Sequence, residues 1–230
     1  VLQAVDLELP PGQTLALVGA TGSGKTTLSR LLLRFYQPTG GRILLDGVDL
    51  AGIDPAAVRR RIGWVSQEPF LFAGSLRDNL DPAGLMDDAA LGSLLEGLGV
   101  GGLLQRLGGL EGSLSERGKN LSAGERQLLC LARALVADPA LLLLDEATSR
   151  LDGATEAQVA QALRSAGVGR SVLLIAHRLQ TARSADRIAV LRQGRVVELG
   201  THQQLLALGG LYARLWRLQQ LRFGESEAEV

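Results

Sequence analysis

Apolar and polar residues follow two alternating patterns along this chain. Short apolar runs flanked by turn signals predict buried strands, and runs with apolar residues every three or four positions predict helices. The predicted strands are 14–18, 141–144, 172–176, 187–191 and 195–198, and the predicted helices are 27–34, 91–98, 101–107, 123–137, 154–166 and 203–222. Because apolar strands alternating with helices are typical of parallel sheets with right-handed crossovers, the pattern predicts an α/β fold.

The order of these patterns divides the chain into three stretches. Strands and turns or helices alternate in residues 1–69 and again in 138–222, whereas 70–137 is mainly helical with frequent glycine breaks. We therefore expect a catalytic core built from the first and third stretches and an inserted helical subdomain built from the second. Residues 223–230 form the expected tail, and its acidic stretch 224–230 is predicted to be disordered.

Composition narrows the class of protein only slightly. The chain has 230 residues, 46% of them hydrophobic, and its 24 basic and 24 acidic residues cancel. A zero net charge argues against a nucleic-acid partner held by general electrostatics. No apolar run approaches the ~18 residues of a membrane-spanning helix. The single cysteine, Cys130, lies in an apolar helical stretch and is predicted to be a core residue.

The most specific motif lies between the predicted strand 14–18 and the helix that begins at Thr27. It matches the phosphate-loop pattern G-x-x-x-x-G-K-[ST] and consists of Gly19, Ala20, Thr21, Gly22, Ser23, Gly24, Lys25 and Thr26. Glycines allow positive φ and bring backbone N–H groups onto phosphate oxygens, and a helix N-terminus at Thr27 favours an anion. Lys25 can reach the β- and γ-phosphates, and the Thr26 hydroxyl can bind Mg²⁺. The motif predicts binding of a nucleoside triphosphate with Mg²⁺.

An acidic pair follows the predicted strand 141–144. Four consecutive leucines suit a strand that is buried on both faces, and Asp145 and Glu146 come directly after them. In a nucleoside triphosphatase the first carboxylate holds Mg²⁺ and the second polarises the attacking water as general base. Two solvated carboxylates at a strand end are the alternative, which the intact phosphate loop disfavours.

Several further short motifs follow one another along the chain. They are Gln67 in the sequence VSQEP, the sequence LSAGE at 121–125, ATSRLD at 147–152, His177 after the predicted strand 172–176, and GTH at 200–202. Together with the phosphate loop and the acidic pair, these segments span nearly all of residues 1–220. Motifs of these kinds occur in this order in ATP-binding-cassette (ABC) transporters, so the chain resembles the nucleotide-binding domain of an ABC transporter of the exporter type.

The resemblance implies a fold and a set of roles. The fold is a P-loop NTPase (RecA-like) core with a mostly parallel sheet and an inserted helical subdomain. Ser122 and Gly124, at a helix start, bind the γ-phosphate of ATP held by a second cassette, which does not prevent Ser122 from also acting as an ordinary helix cap. Gln67 contacts Mg²⁺ or the attacking water. His177 lies beside the γ-phosphate, where a neutral imidazole donates one hydrogen bond and accepts another.

The chain departs from the family pattern at a few positions. Ala123 stands where glycine is commoner, and Glu125 where glutamine is commoner. Ser115 replaces the usual glycine of a loop that touches transmembrane helices in exporters, and Arg150 replaces a small residue in the loop that faces the opposite site. The family's adenine-stacking aromatic residue is expected several positions before Val1.

The resemblance also implies partners and a location. They are a second nucleotide-binding domain, identical or different, and transmembrane domains that are expected on the same polypeptide. The cassette would then lie at the cytoplasmic face of the cell (inner) membrane, with ATP and Mg²⁺ as ligands and no nucleic acid. The cargo depends on the transmembrane part rather than on these residues.

Two other classes of function compete with the exporter interpretation. A cassette ATPase without a membrane partner, as in DNA repair or translation, often carries long coiled-coil insertions or paired cassettes, and this sequence has neither pattern. A regulatory cassette binds ATP but hydrolyses it poorly, which the presence of Lys25, Asp145, Glu146 and His177 disfavours. Single-turnover hydrolysis by the closed dimer separates the second class from an active cassette.

Overall fold

The computed structural model describes residues 1–145, 153–176 and 178–227. They form two compact units, one made of Val1–Val58 with Ser171–Val230 and the other of Arg59–Arg170. The boundaries of the catalytic core and of the helical insertion, placed from the sequence at 69/70 and 137/138, stay predictions.

The regular elements are named here in chain order. The strands are β1 (Thr14–Val18), β2 (Leu44–Leu45), β3 (Val48–Asp49), β4 (Ile62–Val65), β5 (Gly74–Ser75), β6 (Ser113–Leu114), β7 (Leu141–Asp145), β8 (Ser171–Ile175), β9 (Arg187–Arg192) and β10 (Arg195–Gly200). The α-helices are α1 (Lys25–Leu32), α2 (Pro55–Arg61), α3 (Leu76–Leu80), α4 (Asp88–Gly97), α5 (Gly101–Leu107), α6 (Ala123–Val136), α7 (Gly153–Gly167), α8 (Leu179–Ala182), α9 (His202–Leu208) and α10 (Leu211–Glu227). Short 3₁₀ turns occupy Leu50–Gly52 and Glu116–Gly118.

The first unit is built on a sheet in which β1 is an inner strand. β1 pairs in parallel with β8 on one side and with β9 on the other, and β10 pairs antiparallel with β9. Leu15, Ala16, Leu17 and Val18 are all buried, because a strand with neighbours on both sides and helices nearby has no solvated face. The carboxyl ends of β1, β8 and β9 therefore meet at one edge, and the α/β fold predicted from the sequence is confirmed.

The second unit combines helices with the parallel pair β4 and β7, in which Val65 lies opposite Leu144. Helix α6 packs closely on β4. A Cβ atom at Gly63 would lie 2.6 Å from the carbonyl oxygen of Ala134, so only glycine allows this approach. The prediction that Cys130 packs in the core is confirmed, since it is buried on α6, and burial raises the pKa of its thiol.

Most predicted elements match the structure to within three residues at each end, but the segment 203–222 does not. A single helix was predicted there, whereas α9 ends at Leu208, with Gly209 as its C-cap residue, and α10 begins at Leu211. Gly209 has φ +65°, the left-handed conformation that terminates many helices. The break follows from the glycine pair at 209–210, which the apolar pattern alone does not register.

Helix α10 also extends into the stretch that was predicted to be disordered. It continues to Glu227, so the prediction of disorder for 224–227 is wrong. Gly224 inside a helix costs about 1 kcal/mol relative to alanine, which an established helix tolerates. Residues 228–230 lie outside the described ranges. Within those ranges, no helix is both long and apolar enough to cross a membrane.

Candidate active site

The phosphate loop leaves the carboxyl end of β1 and leads into α1, as the sequence predicts. All three of its glycines have positive φ: Gly19 at +152°, Gly22 at +78° and Gly24 at +113°. A Cβ at Gly19 would overlap the carbonyl oxygen of Leu191 on β9. The loop therefore takes a path that other residues could follow only with strain, because L-residues rarely adopt these angles and the space behind Gly19 is filled.

Lys25 is buried, with 5% of its surface exposed, although it carries a charge. Its ammonium group donates hydrogen bonds to the carbonyl oxygens of Gly19 at 2.6 Å and Ala20 at 3.1 Å. The loop thus curls around the ammonium group. Ser23 closes the curl, because its N–H donates to the Ala20 carbonyl at 3.1 Å.

The start of α1 suits an anion. Its N-cap residue is Gly24, which has no side chain to accept from the first N–H groups, and the first turn contains no acidic residue. These N–H groups and the aligned peptide dipoles favour negative charge at this end. Thr26, in the same first turn, is exposed. The local structure therefore fits a phosphate chain with its oxygens on the helix start and beside Lys25.

The phosphate loop is contacted by two residues that the sequence did not predict to be part of the site. Gly194, in the turn between β9 and β10, donates its N–H to the carbonyl oxygen of Ser23 at 2.9 Å. Leu2 packs behind Gly24, where a Cβ would lie 2.6 Å from a leucine methyl carbon. The Gln193–Gly194 pair marks a turn in the sequence, but nothing in it indicates which loop that turn touches.

The second predicted site lies at the start of α6, in the other unit. The Ser122 hydroxyl accepts the N–H of Glu125 at 3.1 Å, and the Glu125 carboxylate accepts the N–H of Ser122 at 2.8 Å. This reciprocal pair is a capping box, so the helix-cap interpretation of Ser122 is confirmed. Since a hydroxyl that accepts one bond still has its own O–H to donate, the exposed Ser122 remains able to bind a phosphate oxygen.

Gly124 is buried one position into the same helix. A Cβ atom there would overlap the methyl group of Thr155 on α7. Glycine is therefore required for packing of α6 against α7, independently of any role in binding phosphate. Ala123, by contrast, is exposed, which explains why a methyl group fits at a position where the family commonly has glycine.

The contacts of Glu125 account for a second departure from the family pattern, in which glutamine is commoner at this position. Beside its role in the capping box, its carboxylate accepts a hydrogen bond at 2.5 Å from the guanidinium of Arg106 on α5. Burial by itself would raise the pKa of Glu125, but the N–H of Ser122 and the charge of Arg106 outweigh burial and lower it from 4.5. A glutamine could form the capping box without attracting Arg106 as a charge.

Replacing Glu125 by glutamine is expected to change how stability depends on pH. A carboxylate whose pKa is lowered in the folded state stabilises above its unfolded value, here 4.5, and loses that contribution as the pH falls through the folded value. The variant should therefore lose less stability than the parent on acidification below pH 4.5. Near neutral pH it should cost under about 1 kcal/mol, because the ion pair is partly exposed. Urea unfolding at several pH values measures this, with the exposed Glu111→Gln as control; identical acid dependence of parent and Glu125→Gln would contradict it.

Gln67 and Asp145 lie at one edge of the second unit. Val65 ends β4 opposite Leu144 in a parallel pair, so Asp145 at the end of β7 and Gln67, two residues beyond β4, follow the same carboxyl edge. Gln67 is exposed, and Ser66 holds the local turn by donating to the carbonyl oxygen of Glu68 at 2.8 Å. The structure thus brings these two predicted residues to one edge, as a site at the ends of parallel strands requires.

Two predicted catalytic residues, Glu146 and His177, and the loop 147–152 with Arg150 lie outside the described residues. Their flanking strands are described. In the first unit, Ala176 follows β8 and donates its N–H to the carbonyl oxygen of Leu17 at 3.1 Å. Ala176 therefore lies at the same edge from which the phosphate loop leaves β1.

Comparisons with known proteins agree with this fold and these motifs. A family model described as ABC transporter matches residues 2–149. An ATP-dependent lipid A-core flippase of Chromobacterium violaceum is 46% identical over 99% of this chain and 39% of its own length. A multidrug efflux ATP-binding/permease protein of Mycobacterium bovis is 47% identical over 94% of the chain and 18% of its own length. A bacterial Atm1-family ABC exporter, solved with ATP bound, is 39% identical with a TM-score of 0.86, covering 95% of this chain and 38% of that one.

The chain belongs to the ABC transporter family. Over the matched part it is similar to the ATP-binding cassettes of exporters, and such cassettes are ATPases. The resemblance stated from the motifs alone is therefore confirmed. The chain spans no more than 39% of the length of these relatives.

Proposed function

We propose that this chain binds and hydrolyses Mg-ATP and so powers export across a membrane, by closing on a second cassette and reopening after hydrolysis. The observation that carries the proposal is the phosphate loop, with its buried lysine and its open helix start. ATP supplies negative charge to both features, and its γ-phosphate is the group that hydrolysis removes.

The residues of the first unit suit the phosphates of ATP. Lys25 lies in the curl of the loop, and the N–H groups at the start of α1 provide donors for the phosphate oxygens. The proposed phosphate-binding site includes all eight positions from Gly19 to Thr26. It also includes Thr27, in the first turn of α1.

Magnesium suits the oxygen donors among the proposed residues. Thr26, Gln67 and Asp145 offer a hydroxyl, an amide oxygen and a carboxylate, which are hard ligands of the kind that Mg²⁺ prefers. Mg²⁺ commonly takes only one or two protein carboxylates and completes its shell with phosphate oxygens and water. When bound, it neutralises charge that develops between the β- and γ-phosphates.

Hydrolysis requires a base and a group that responds to the γ-phosphate. Glu146 is proposed to accept a proton from the attacking water, with Gln67 orienting that water. His177 is proposed to hydrogen-bond the γ-phosphate oxygens. The supporting observation is that the strands preceding these residues end at edges that also carry the phosphate loop or Asp145.

A second cassette is proposed to complete each site. Ser122 and Gly124 bind the γ-phosphate held by the phosphate loop of the other chain, and the reciprocal contacts form the second site. Support comes from the exposed Ser122 hydroxyl at the start of a 14-residue helix, where donors and the helix dipole favour an anion. Whether the second cassette is identical to this chain stays open.

The proposed mechanical output is movement of transmembrane domains, expected on the same polypeptide, with the cassette at the cytoplasmic face of the membrane. Support comes from the relatives, which are named as a flippase, an efflux ATP-binding/permease protein and an exporter, and which extend well beyond the part matched here.

Mixing two inactive variants tests the composite site. Lys25→Ala disables the phosphate loop. Ser122→Asp keeps a good N-cap but places a carboxylate against the γ-phosphate. Each variant alone should lose at least about tenfold of the ATPase rate. A mixed pair regains one site with Lys25 from one chain and Ser122 from the other, so an equimolar mixture should recover up to about a quarter of the parental rate.

The mixing experiment needs one control and has a clear contrary result. Ser122→Thr, which retains a hydroxyl cap, should behave like the parent when tested alone. A mixture that is no more active than the mean of its two components would show that Lys25 and Ser122 do not meet across two chains.

A further inference from the structure

Helix α10 makes a long-range contact with the segment that follows His177. The side-chain oxygen of Gln219 accepts the N–H of Leu179 at 2.8 Å, across 40 positions of the sequence. Leu179 is the first residue of α8, whose N-cap residue, Arg178, forms no side-chain cap of its own. Gln219 therefore provides the cap that α8 otherwise lacks.

Helix α10 is itself fixed at its beginning. The carboxylate of Glu198 on β10 accepts the N–H groups of Leu211 and Tyr212, the latter at 3.0 Å. The Tyr212 hydroxyl lies 2.7 Å from Nδ1 of His202, and Trp216 packs against the same imidazole with ring centroids 4.6 Å apart. These contacts hold the N-terminal turns of α10, so the position of Gln219 two turns further on is defined by the helix.

The protonation states of Tyr212 and His202 agree with a stable contact between these two side chains. Burial raises the pKa of Tyr212 to about 12, so its hydroxyl stays protonated and is able to donate to His202. Burial, followed by the charge of Arg183, lowers the pKa of His202. A neutral imidazole that accepts at Nδ1 is consistent with both changes.

We propose that Gln219 is a positioning residue for hydrolysis, acting through the segment that carries His177. The proposal rests on the function proposed above, in which His177 contacts the γ-phosphate. Only Arg178 separates His177 from Leu179, so the two Cα atoms are at most ~7 Å apart. Fixing the N–H of Leu179 therefore limits where the histidine can lie.

The expected effect of Gln219 is on turnover rather than on binding of ATP. In the function proposed above, the phosphate loop holds the α- and β-phosphates, whereas the hydrogen bond of Gln219 is to the N–H of Leu179, two positions after His177. A misplaced histidine leaves those contacts intact but loses alignment at the reacting γ-phosphate, where small displacements cost large factors in rate.

Three variants of neighbouring glutamines test the proposal. Gln219→Leu keeps the approximate size of the side chain and removes the acceptor, and it should lower kcat about tenfold or more while the Kd for ATP changes less than about twofold. Gln219→Glu keeps an acceptor oxygen and should retain most of the parental kcat. Gln220→Leu, at the adjacent exposed position of the same helix, should match the parent in both quantities.

Hydrogen exchange and a histidine variant complete the test. In Gln219→Leu the amide of Leu179 should exchange faster than in the parent. A parental kcat in Gln219→Leu, or an equal loss in Gln219→Glu, would overturn the proposal while His177→Ala remains impaired. If His177→Ala hydrolyses ATP at the parental rate, the proposed role of His177 fails, and the proposal for Gln219 fails with it.

Discussion

Glu146→Gln is expected to bind Mg-ATP with nearly parental affinity and to hydrolyse it at least about 100-fold more slowly. Glutamine has the size of glutamate but cannot accept the proton of the attacking water, and general-base catalysis contributes typically 10²–10⁴-fold. The contacts proposed for the phosphates do not involve residue 146, so binding is retained. Single-turnover hydrolysis and an equilibrium titration with ATP measure the two quantities separately.

The same variant is expected to reveal the ATP-bound dimer. ATP that is bound but not hydrolysed stabilises the closed pair by mass action, so sedimentation should show a dimer with ATP and a monomer without it. Glu8→Gln, which removes an exposed carboxylate elsewhere, serves as control and should turn over ATP normally. A Glu146→Gln variant with parental hydrolysis would exclude this residue as the base, and a dimer that forms equally without nucleotide would exclude ATP-gated closure.

Lys25→Ala is expected to weaken binding of ATP more than tenfold, which corresponds to about 1.4 kcal/mol or more. The lost ammonium group is the single cation of the phosphate loop, where its proposed interaction with the β- and γ-phosphates is little screened. The variant also loses the two hydrogen bonds that Lys25 makes to the carbonyls of Gly19 and Ala20. Calorimetric titration with Mg-ATP measures the affinity, and thermal unfolding without nucleotide measures the cost to the loop.

The chain offers a matched control for this prediction. Lys119 is the other lysine of the sequence and is exposed, so Lys119→Ala changes the net charge equally without touching the phosphate loop. Its affinity for ATP should equal that of the parent. Unchanged affinity in Lys25→Ala would exclude the phosphate-binding role, and equal weakening in both variants would point to a general effect of charge.

Local patterns were sufficient for most of the fold. Predicted strands and helices such as 14–18 and 101–107 coincide with β1 and α5, because apolar periodicity and glycine breaks are properties of neighbouring residues. The predictions that went wrong concern the C-terminal segment. There the apolar pattern continued across Gly209, where the chain turns, and the acidic residues up to Glu227 were assigned to a disordered tail although the helix continues through them.

The candidate site shows the same difference between residues that local motifs predict and residues that only distant contacts reveal. The sequence predicted roles for Lys25 and Asp145 from runs of adjacent residues that are typical of phosphate and metal binding, and a role for Ser122 from the resemblance to ABC transporters. It did not identify Gly194 behind the phosphate loop, or Arg106 beside Glu125. The partner of Gly194 is far away in the chain, and no periodic pattern encodes it.

By itself, the sequence determined the family, the ligand class and the order of the site residues. Tertiary structure decided which distant groups support them: the turn at Gly194 under the phosphate loop, Arg106 on the carboxylate that caps α6, and Gln219 on the first N–H of α8. The physical reason is that a motif is written in consecutive residues, whereas a hydrogen bond between residues 40 positions apart depends on how two helices pack. Packing brings such groups within 3 Å of each other only after the whole unit has folded.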